Sequence, residues 1–333
     1  MINQSAMMRR AFDKPQSAWC KSKGRATLLL CSLLAGLSAS FAILPASAQD
    51  KSDRLKVVAT FSILGDLARN VGGDRADIVT LVGRNSDIHV YSPTAADAQS
   101  VRNARLLIVN GLGLEGWLPR LVESSGSTAN VVVASNGVAP RKIDASELLS
   151  RQHESGSLDP HAWQSVANAA IYVANIRDAM AAADPVNATI YKANADAYLA
   201  ILKRLDHGIR DAVAQIPPDR RKVISTHAAF GYFAAAYGIA FLAPQGVSTD
   251  SEPSARDIAG LITQIKTEKI PAVFLENISD PRLIRQIASE SGAAVGGTLY
   301  SDSLTDADGE APTYIELMEH NIRTIVSALA KRP

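Results

Sequence analysis

The chain has 333 residues, of which 47% are hydrophobic and 20% charged, a composition typical of a folded soluble protein long enough for two domains. Its 34 basic and 33 acidic side chains give a net charge of +1, and six of the basic residues lie close together between positions 9 and 25. No basic patch remains elsewhere, so we predict that nucleic acid is not a partner.

Residues 1–48 have the pattern of a secretory signal peptide. Basic residues precede an apolar run at about 26–44, and the segment 45–48 (PASA) has small residues at the two positions that signal peptidase reads. The uninterrupted apolar core is shorter than the ~20 residues of a membrane span, which argues against an anchor helix. We therefore predict cleavage after Ala48 and a periplasmic location.

Cleavage would remove six of the 34 basic and one of the 33 acidic residues, leaving 28 against 32 and a net charge of −4. Both cysteines, Cys20 and Cys31, lie in the removed segment, so we expect the exported chain to have no disulfide. Leu30 is bulky where a lipid-attachment site has a small residue before its cysteine. We therefore predict a protein without a lipid anchor.

Residues 49–184 predict an N-terminal α/β lobe. Short β-branched runs alternate with helical patterns, which favours a mainly parallel sheet with helices on both faces. The predicted strands are 56–60, 78–82, 106–109 and 131–133, and the predicted helices are 63–70, 95–103, 115–123 and 166–183. The polar stretch 139–158 has no periodicity and is predicted to be a surface loop that contains His153.

One long helix is predicted at about 187–216, within a linking segment 185–217. It would be ~45 Å long, which indicates a rigid strut between two lobes, although a surface helix of a single domain is the alternative. The apolar residues that define its buried face at steps of three or four are Tyr191, Ala195, Tyr198, Leu202, Leu205, Ile209, Val213 and Ile216.

Residues 218–333 repeat the scheme and predict a C-terminal α/β lobe. The fold class is thus α/β, with two mainly parallel sheets and their flanking helices joined by one long rigid helix. The predicted strands are 222–226, 239–242, 272–275 and 293–299, and the predicted helices are 230–237, 254–266, 281–291 and 313–330.

Three histidines and one aspartate lie where such sheets bind ligands. His89, His227 and Asp302 each follow a predicted strand, and ligands of open parallel sheets collect at the carboxyl ends of strands. His161 follows Pro160 and is presented from a loop. A lone histidine usually serves polar packing, but three imidazoles and one carboxylate together predict a metal site between the lobes. This donor set suits zinc, whereas manganese favours more oxygen.

Four segments carry a resemblance to a known family: 87–93 (DIHVYSP), 159–163 (DPHAW), 226–233 (THAAFGYF) and 300–304 (YSDSL). In order, they resemble the metal-site motifs of the zinc/manganese ABC-transporter solute-binding proteins. The resemblance extends over the predicted mature chain, including 252–254 (EPS). It implies two α/β lobes joined by a rigid helix, with the metal bound at their interface by His89, His161, His227 and Asp302.

The same resemblance implies a carrier and not an enzyme. Zn²⁺ is the expected cargo, since the family's manganese branch usually has glutamate at the position of His227; Mn²⁺ is the alternative. Only His153 stands where many zinc members have a long histidine-rich loop. The expected partners are the membrane subunits of an ABC permease and an accessory metallochaperone, and we expect a monomer. A zinc hydrolase, an adhesin, and a carrier of a siderophore or corrin are the rival classes.

Several other residues receive lesser roles. Asp87 and Glu276 are predicted to orient ligand imidazoles through their second ring nitrogens. Trp163 and Tyr91 are predicted to pack beside the site. His207 and His320 are predicted to be solvated, and His153 to lie at the surface.

Overall fold

The computed structural model describes residues 54–144, 147 and 156–330. The predicted signal peptide, its cleavage site after Ala48, Cys31 and His153 lie outside the described residues. Strands are β1 Leu55–Phe61, β2 Ala76–Val82, β3 Leu106–Val109, β4 Asn130–Val133, β5 Lys222–Ile224, β6 Ala240–Leu242, β7 Ala272–Glu276 and β8 Ala294–Leu299. Helices are α1 Ser62–Gly72, α2 Ala95–Asn103, α3 Leu118–Ser125, α4 Val166–Ala183, α5 Ala188–Ala214, α6 Gly231–Tyr237, α7 Ala255–Glu268, α8 Pro281–Ser291 and α9 Tyr314–Ala330.

The two sheets have the same design. The first has the order β2-β1-β3-β4 and the second the order β6-β5-β7-β8, and the paired strands are parallel in both. β1 is buried along nearly its whole length because helices cover both faces of a parallel sheet. Since the strands run in one direction, their carboxyl ends share one edge in each sheet. The predicted fold class is confirmed.

Helix α5 is the long helix that the periodicity predicts. Its 27 residues span about 40 Å. It packs against α1 and α4 from the first half of the chain and against α6 and α9 from the second. All eight apolar positions predicted for its inner face are buried, seven of them in α5 and Ile216 just beyond its end.

The largest of the buried hydrophobic clusters continues across both sheets. Val57 and Ile108 of the first sheet belong to the same buried cluster as Val223 and Phe274 of the second, with Leu202 of α5 between them in sequence. This shared core supports the long helix on both sides.

The domain boundaries at 184/185 and 217/218 stay a prediction. Among the described residues, no helix has the length and apolar character needed to cross a membrane.

Most element bounds differ from the predictions by one to three residues, and two of these differences have clear local reasons. Helix α3 begins at Leu118 and not at 115, because the Glu115 carboxylate turns inward and accepts hydrogen bonds from Thr60 Oγ1 (2.7 Å) and Asn110 N (2.6 Å). Strand β5 ends at Ile224 and not at 226, because the backbone N–H of Thr226 donates to Glu276 Oε1 at 2.7 Å, outside the sheet ladder.

Candidate metal centre

The four predicted site residues converge on one point. Their ligand atoms all lie within 4.8 Å of one another. Asp302 Oδ2 lies 3.0 Å from His227 Nε2 and 3.3 Å from His89 Nε2, and Asp302 Oδ1 lies 3.6 Å from His161 Nε2. Within the part of the chain that the structure describes, no other group of three or more histidine, cysteine, aspartate or glutamate residues is placed this way.

The parallel sheets bring these residues together. His89 lies in the loop after β2, His227 follows β5 closely, and Asp302 follows β8. His161 lies just before a short 3-10 turn that leads into α4. Two ligands therefore come from each half of the chain, and all except His161 follow the carboxyl end of a strand, as the sequence predicts.

The centre is almost closed to solvent. His161, His227 and Asp302 are fully buried, and 5% of the His89 side chain is exposed. A cavity of about 230 Å³ lies beside His89, lined also by Leu114, Pro160, Val247 and Asp250. His89 is thus the one member of the four that borders this open space.

Glu276 orients His227, as predicted. The Nδ1 of His227 lies 2.6 Å from Glu276 Oε2, and the other carboxylate oxygen accepts the backbone N–H groups of Thr226 and His227 at 2.7 and 3.1 Å. Ser301 Oγ donates to Glu276 Oε2 at 2.8 Å. These contacts leave Nε2 of His227 directed at the shared centre, which is the arrangement that metal-binding histidines use.

The prediction that Asp87 orients a ligand imidazole is wrong. Asp87 Oδ1 accepts the backbone N–H of His89 at 2.8 Å, in the local turn that aspartate favours two residues before a donor, and its other oxygen accepts from Thr249 Oγ1. Asp159 is the residue that the sequence analysis missed. Its Oδ1 accepts the backbone N–H of His161 at 3.0 Å and lies 2.9 Å from His161 Nδ1. The Asp-x-His spacing at 159–161 was the available signal.

The centre contains buried polar atoms without hydrogen-bond partners. Both carboxylate oxygens of Asp302 and the Nε2 of His227 are of this kind. Asp302 Oδ2 and His227 Nε2 lie 3.0 Å apart, within the distance of an ionic contact. Since buried polar atoms are nearly always paired, these atoms and their neighbours fit a bound cation.

The electrostatics of the centre are set by opposing effects. Burial by itself would lower the pKa of His227, but the carboxylates of Glu276 and Asp302 raise it well above its usual value. Burial by itself would raise the pKa of Asp302, but His161 and His227 lower it well below its usual value. Asp302 is therefore ionised at neutral pH and supplies a negative charge to three imidazoles.

Of the two residues predicted to pack beside the centre, Trp163 contacts a member of it, whereas the contacts of Tyr91 are with Trp117 and Asp97. The Trp163 ring packs edge-on to His161 with ring centres 5.3 Å apart, and Trp163 Nε1 donates to Ser301 O at 2.9 Å. Tyr91 packs against Trp117 and donates from its hydroxyl to Asp97 at 2.8 Å. Ser301 therefore contacts the supports of both His161 and His227, a role that the sequence analysis missed.

The two other described histidines behave differently. His207 is exposed, as predicted. The prediction of a solvated His320 is wrong, because its side chain is only 12% exposed and packs against Tyr300 with ring centres 4.8 Å apart. Its Nε2 lies 3.0 Å from Thr298 O. Helix α9 turns this face toward β8, so the ring fills the space between them.

The fold and the candidate centre together define a protein with two α/β halves and, between them, a cluster of three histidines and one aspartate that could hold a metal ion. Residues 57–328 match the family described as "Zinc-uptake complex component A periplasmic". The chain belongs to this family of solute-binding proteins of metal ABC transporters, which are not enzymes.

The relatives of this chain are named for different metals. The manganese-binding lipoprotein MntA of Halalkalibacterium halodurans is 36% identical over 282 residues, which cover 85% of this chain and 91% of that protein. The iron-binding protein YfeA of Yersinia pestis is 34% identical over 85% of this chain and 88% of its own length. The solved periplasmic zinc-binding protein TroA of Treponema pallidum has a TM-score of 0.75 and 32% identity, and the match covers 84% of this chain and 100% of that one.

Proposed function

We propose that this protein captures Zn²⁺ in the periplasm and delivers it to the membrane subunits of an ABC permease for import. The observation that carries the proposal is the convergence of three imidazole nitrogens and one ionised carboxylate on a nearly closed centre. A carrier needs a closed site because it must bind the metal ion without using it in a reaction. The description of the family as a zinc-uptake component supports transport as the role.

Zinc is the proposed cargo because of the donor set. Three nitrogen ligands with one carboxylate suit zinc, whereas manganese favours oxygen-rich sites. Both oxygens of Asp302 face the imidazoles, so the carboxylate could supply one or two donors and give four- or five-coordinate geometry. The manganese and iron names of the relatives make Mn²⁺ the second candidate.

Two measurements together test the choice of metal. Metal-free protein would be titrated with Zn²⁺ and Mn²⁺ in competition with a chelator, and the metal content of protein purified from the periplasm would be determined. Because nitrogen-rich sites intrinsically favour zinc over manganese, the titration alone does not identify the cellular cargo. Predominant zinc in the purified protein and tighter zinc binding are expected. Predominant manganese would overturn the zinc assignment and leave the transport role intact.

Zinc affinity is expected to fall as the pH drops from 8 to 5. Each ligand imidazole must be neutral at the nitrogen that binds the metal, and ordinary imidazoles titrate near pH 6.5. Burial opposes the proton on His227, but Glu276 and Asp302 raise its pKa well above the usual value, so a proton competes with zinc already at higher pH. Below the histidine pKa, each displaced proton should cost roughly tenfold in affinity per pH unit. A competition titration at four pH values checks this, and a flat profile would contradict it.

Export without a lipid anchor is part of the proposal. The sequence 45–48 supports cleavage after Ala48, and Leu30 disfavours lipid attachment at Cys31, although the relative MntA is named a lipoprotein. The intact mass of the mature protein tests both points. The expected mass is that of a chain that begins at Gln49, and a larger mass from an attached lipid would contradict the proposal.

A further inference from the structure

The carboxylate that orients His161 is itself held by an arginine. Arg141 Nη1 donates to Asp159 Oδ2 at 2.9 Å, while the opposite oxygen of the same carboxylate serves His161. Asp159 is fully buried, and 18% of the Arg141 side chain is exposed. Asp159 thus uses one carboxylate oxygen for each neighbour, with the Arg141 guanidinium on one side and the His161 imidazole on the other.

Both halves of the chain hold Arg141 in place. Its backbone N–H donates to Tyr232 Oη at 2.8 Å, and its carbonyl oxygen accepts from Asp159 N at 2.9 Å. Its other terminal nitrogen contacts Glu147, whose side chain is 22% exposed. The guanidinium is therefore shared between one buried and one partly exposed carboxylate.

A glycine leaves room for this ion pair. A Cβ at Gly231 would overlap the guanidinium of Arg141 and lie 2.5 Å from Asp159 Oδ2. Gly231 begins helix α6, four residues after His227. The Arg141–Asp159 pair is therefore packed against the segment that carries a second ligand, on the opposite half of the chain.

We propose that Arg141 is a positioning residue for the metal, acting through Asp159 to hold the His161 imidazole toward the other three ligands. The inference rests on the proposed function. Removing one member of a buried ion pair leaves an uncompensated charge, so Asp159 would have to abandon its present orientation to find another donor. His227 has no such dependence, because Glu276 is held by Ser301 and by two backbone N–H groups.

The first test is the zinc affinity of Arg141→Gln in the otherwise unaltered protein. Outer partners of metal ligands typically contribute about 10–100-fold to affinity, and a loss in that range is expected. Arg141→Lys keeps the charge without the planar fork and should recover part of the loss. In the Co²⁺-loaded protein, the absorption bands of Arg141→Gln should shift toward those of His161→Ala, a change that a remote structural role would not produce.

A double-mutant cycle shows whether Arg141 acts through His161. In a His161→Ala background, Arg141→Gln should have little further effect on affinity, since coupled residues are not additive. Glu147→Gln is the matched control: it removes the other partner of Arg141 and should leave affinity within about threefold, well below the outer-partner range. Thermal unfolding of each metal-free variant separates lost folding from lost binding.

The outcomes are distinct. Unchanged zinc affinity in folded Arg141→Gln, additive effects with His161→Ala, or an equally large loss in Glu147→Gln would each overturn the inference. If Arg141→Gln does not fold, the folded Arg141→Lys variant decides, and a wild-type affinity and Co²⁺ spectrum there would overturn it. If the unaltered protein fails to bind zinc or any other divalent metal, the proposed function fails instead.

Discussion

Replacing Asp302 with alanine is expected to weaken zinc binding by more than about 100-fold, beyond the loss typical for an outer partner of a metal ligand. Asp302 lies within 3.6 Å of the three histidine Nε2 atoms and is the one acidic member of the cluster. Its loss removes both a donor and the negative charge that offsets the dication. A competition titration of the metal-free variant measures the effect.

Asp306→Ala is the matched control for this substitution. Asp306 lies four residues further along the same segment, is exposed, and accepts a hydrogen bond from Asn85. The Asp306→Ala variant should bind zinc as tightly as the unaltered protein does. If Asp302→Ala kept its affinity within a few-fold while remaining folded, Asp302 would not be a ligand.

Saturating zinc is expected to raise the melting temperature by roughly 10 °C. The four ligands lie far apart in sequence, so the unfolded chain has no assembled site and zinc stabilises only the folded state. Free zinc at 1,000 times its dissociation constant contributes about 4 kcal/mol, and each kcal/mol shifts the melting temperature by about 2–4 °C in domains somewhat smaller than this one.

Calorimetry or circular dichroism, with and without chelator, checks the shift. The Asp302→Ala variant should show a much smaller shift at the same zinc concentration, because its affinity is lower. A melting temperature of the unaltered protein that does not respond to zinc would contradict binding to the folded state.

Local signals in the sequence predict much of the fold. The bounds of α2, α4 and α8 agree with the prediction, and each has a clear terminal signal. Thr94 and Asp97 form a capping box at the start of α2, Asp184-Pro185 ends α4, and Pro281 begins α8. The end of β5 was missed because Thr226 bonds to a glutamate 50 residues away, which periodicity does not encode.

The convergence of the four candidate ligands could be predicted from sequence, but most of the residues that hold them in place could not. His89, His227 and Asp302 follow strands, and parallel strands bring their carboxyl ends to one edge. Arg141 and Ser301 act through side-chain contacts across 18 and 25 residues to Asp159 and Glu276. Such pairings depend on how loops pack between the two halves, and neither hydrophobic patterning nor residue spacing determines that packing.

The donor chemistry and the names of the relatives point to different metals. Three imidazoles and one carboxylate are typical of zinc, whereas two relatives that are 36% and 34% identical to this chain are named for manganese and iron. His227 lies 2.6 Å from Glu276 through Nδ1 and 3.0 Å from Asp302 through Nε2, so an acidic replacement at this position would place three carboxylates in one buried space. The neighbourhood of His227 therefore supports an imidazole there.

A crystal structure of the zinc-loaded protein, with anomalous scattering recorded at the zinc edge, tests the central claim most directly. The account predicts a single ion about 2.0–2.1 Å from Nε2 of His89, His161 and His227 and about 2.0–2.2 Å from an oxygen of Asp302. An ion bound elsewhere, or His89 and Asp302 directed away from each other with no ion between the halves, would contradict it.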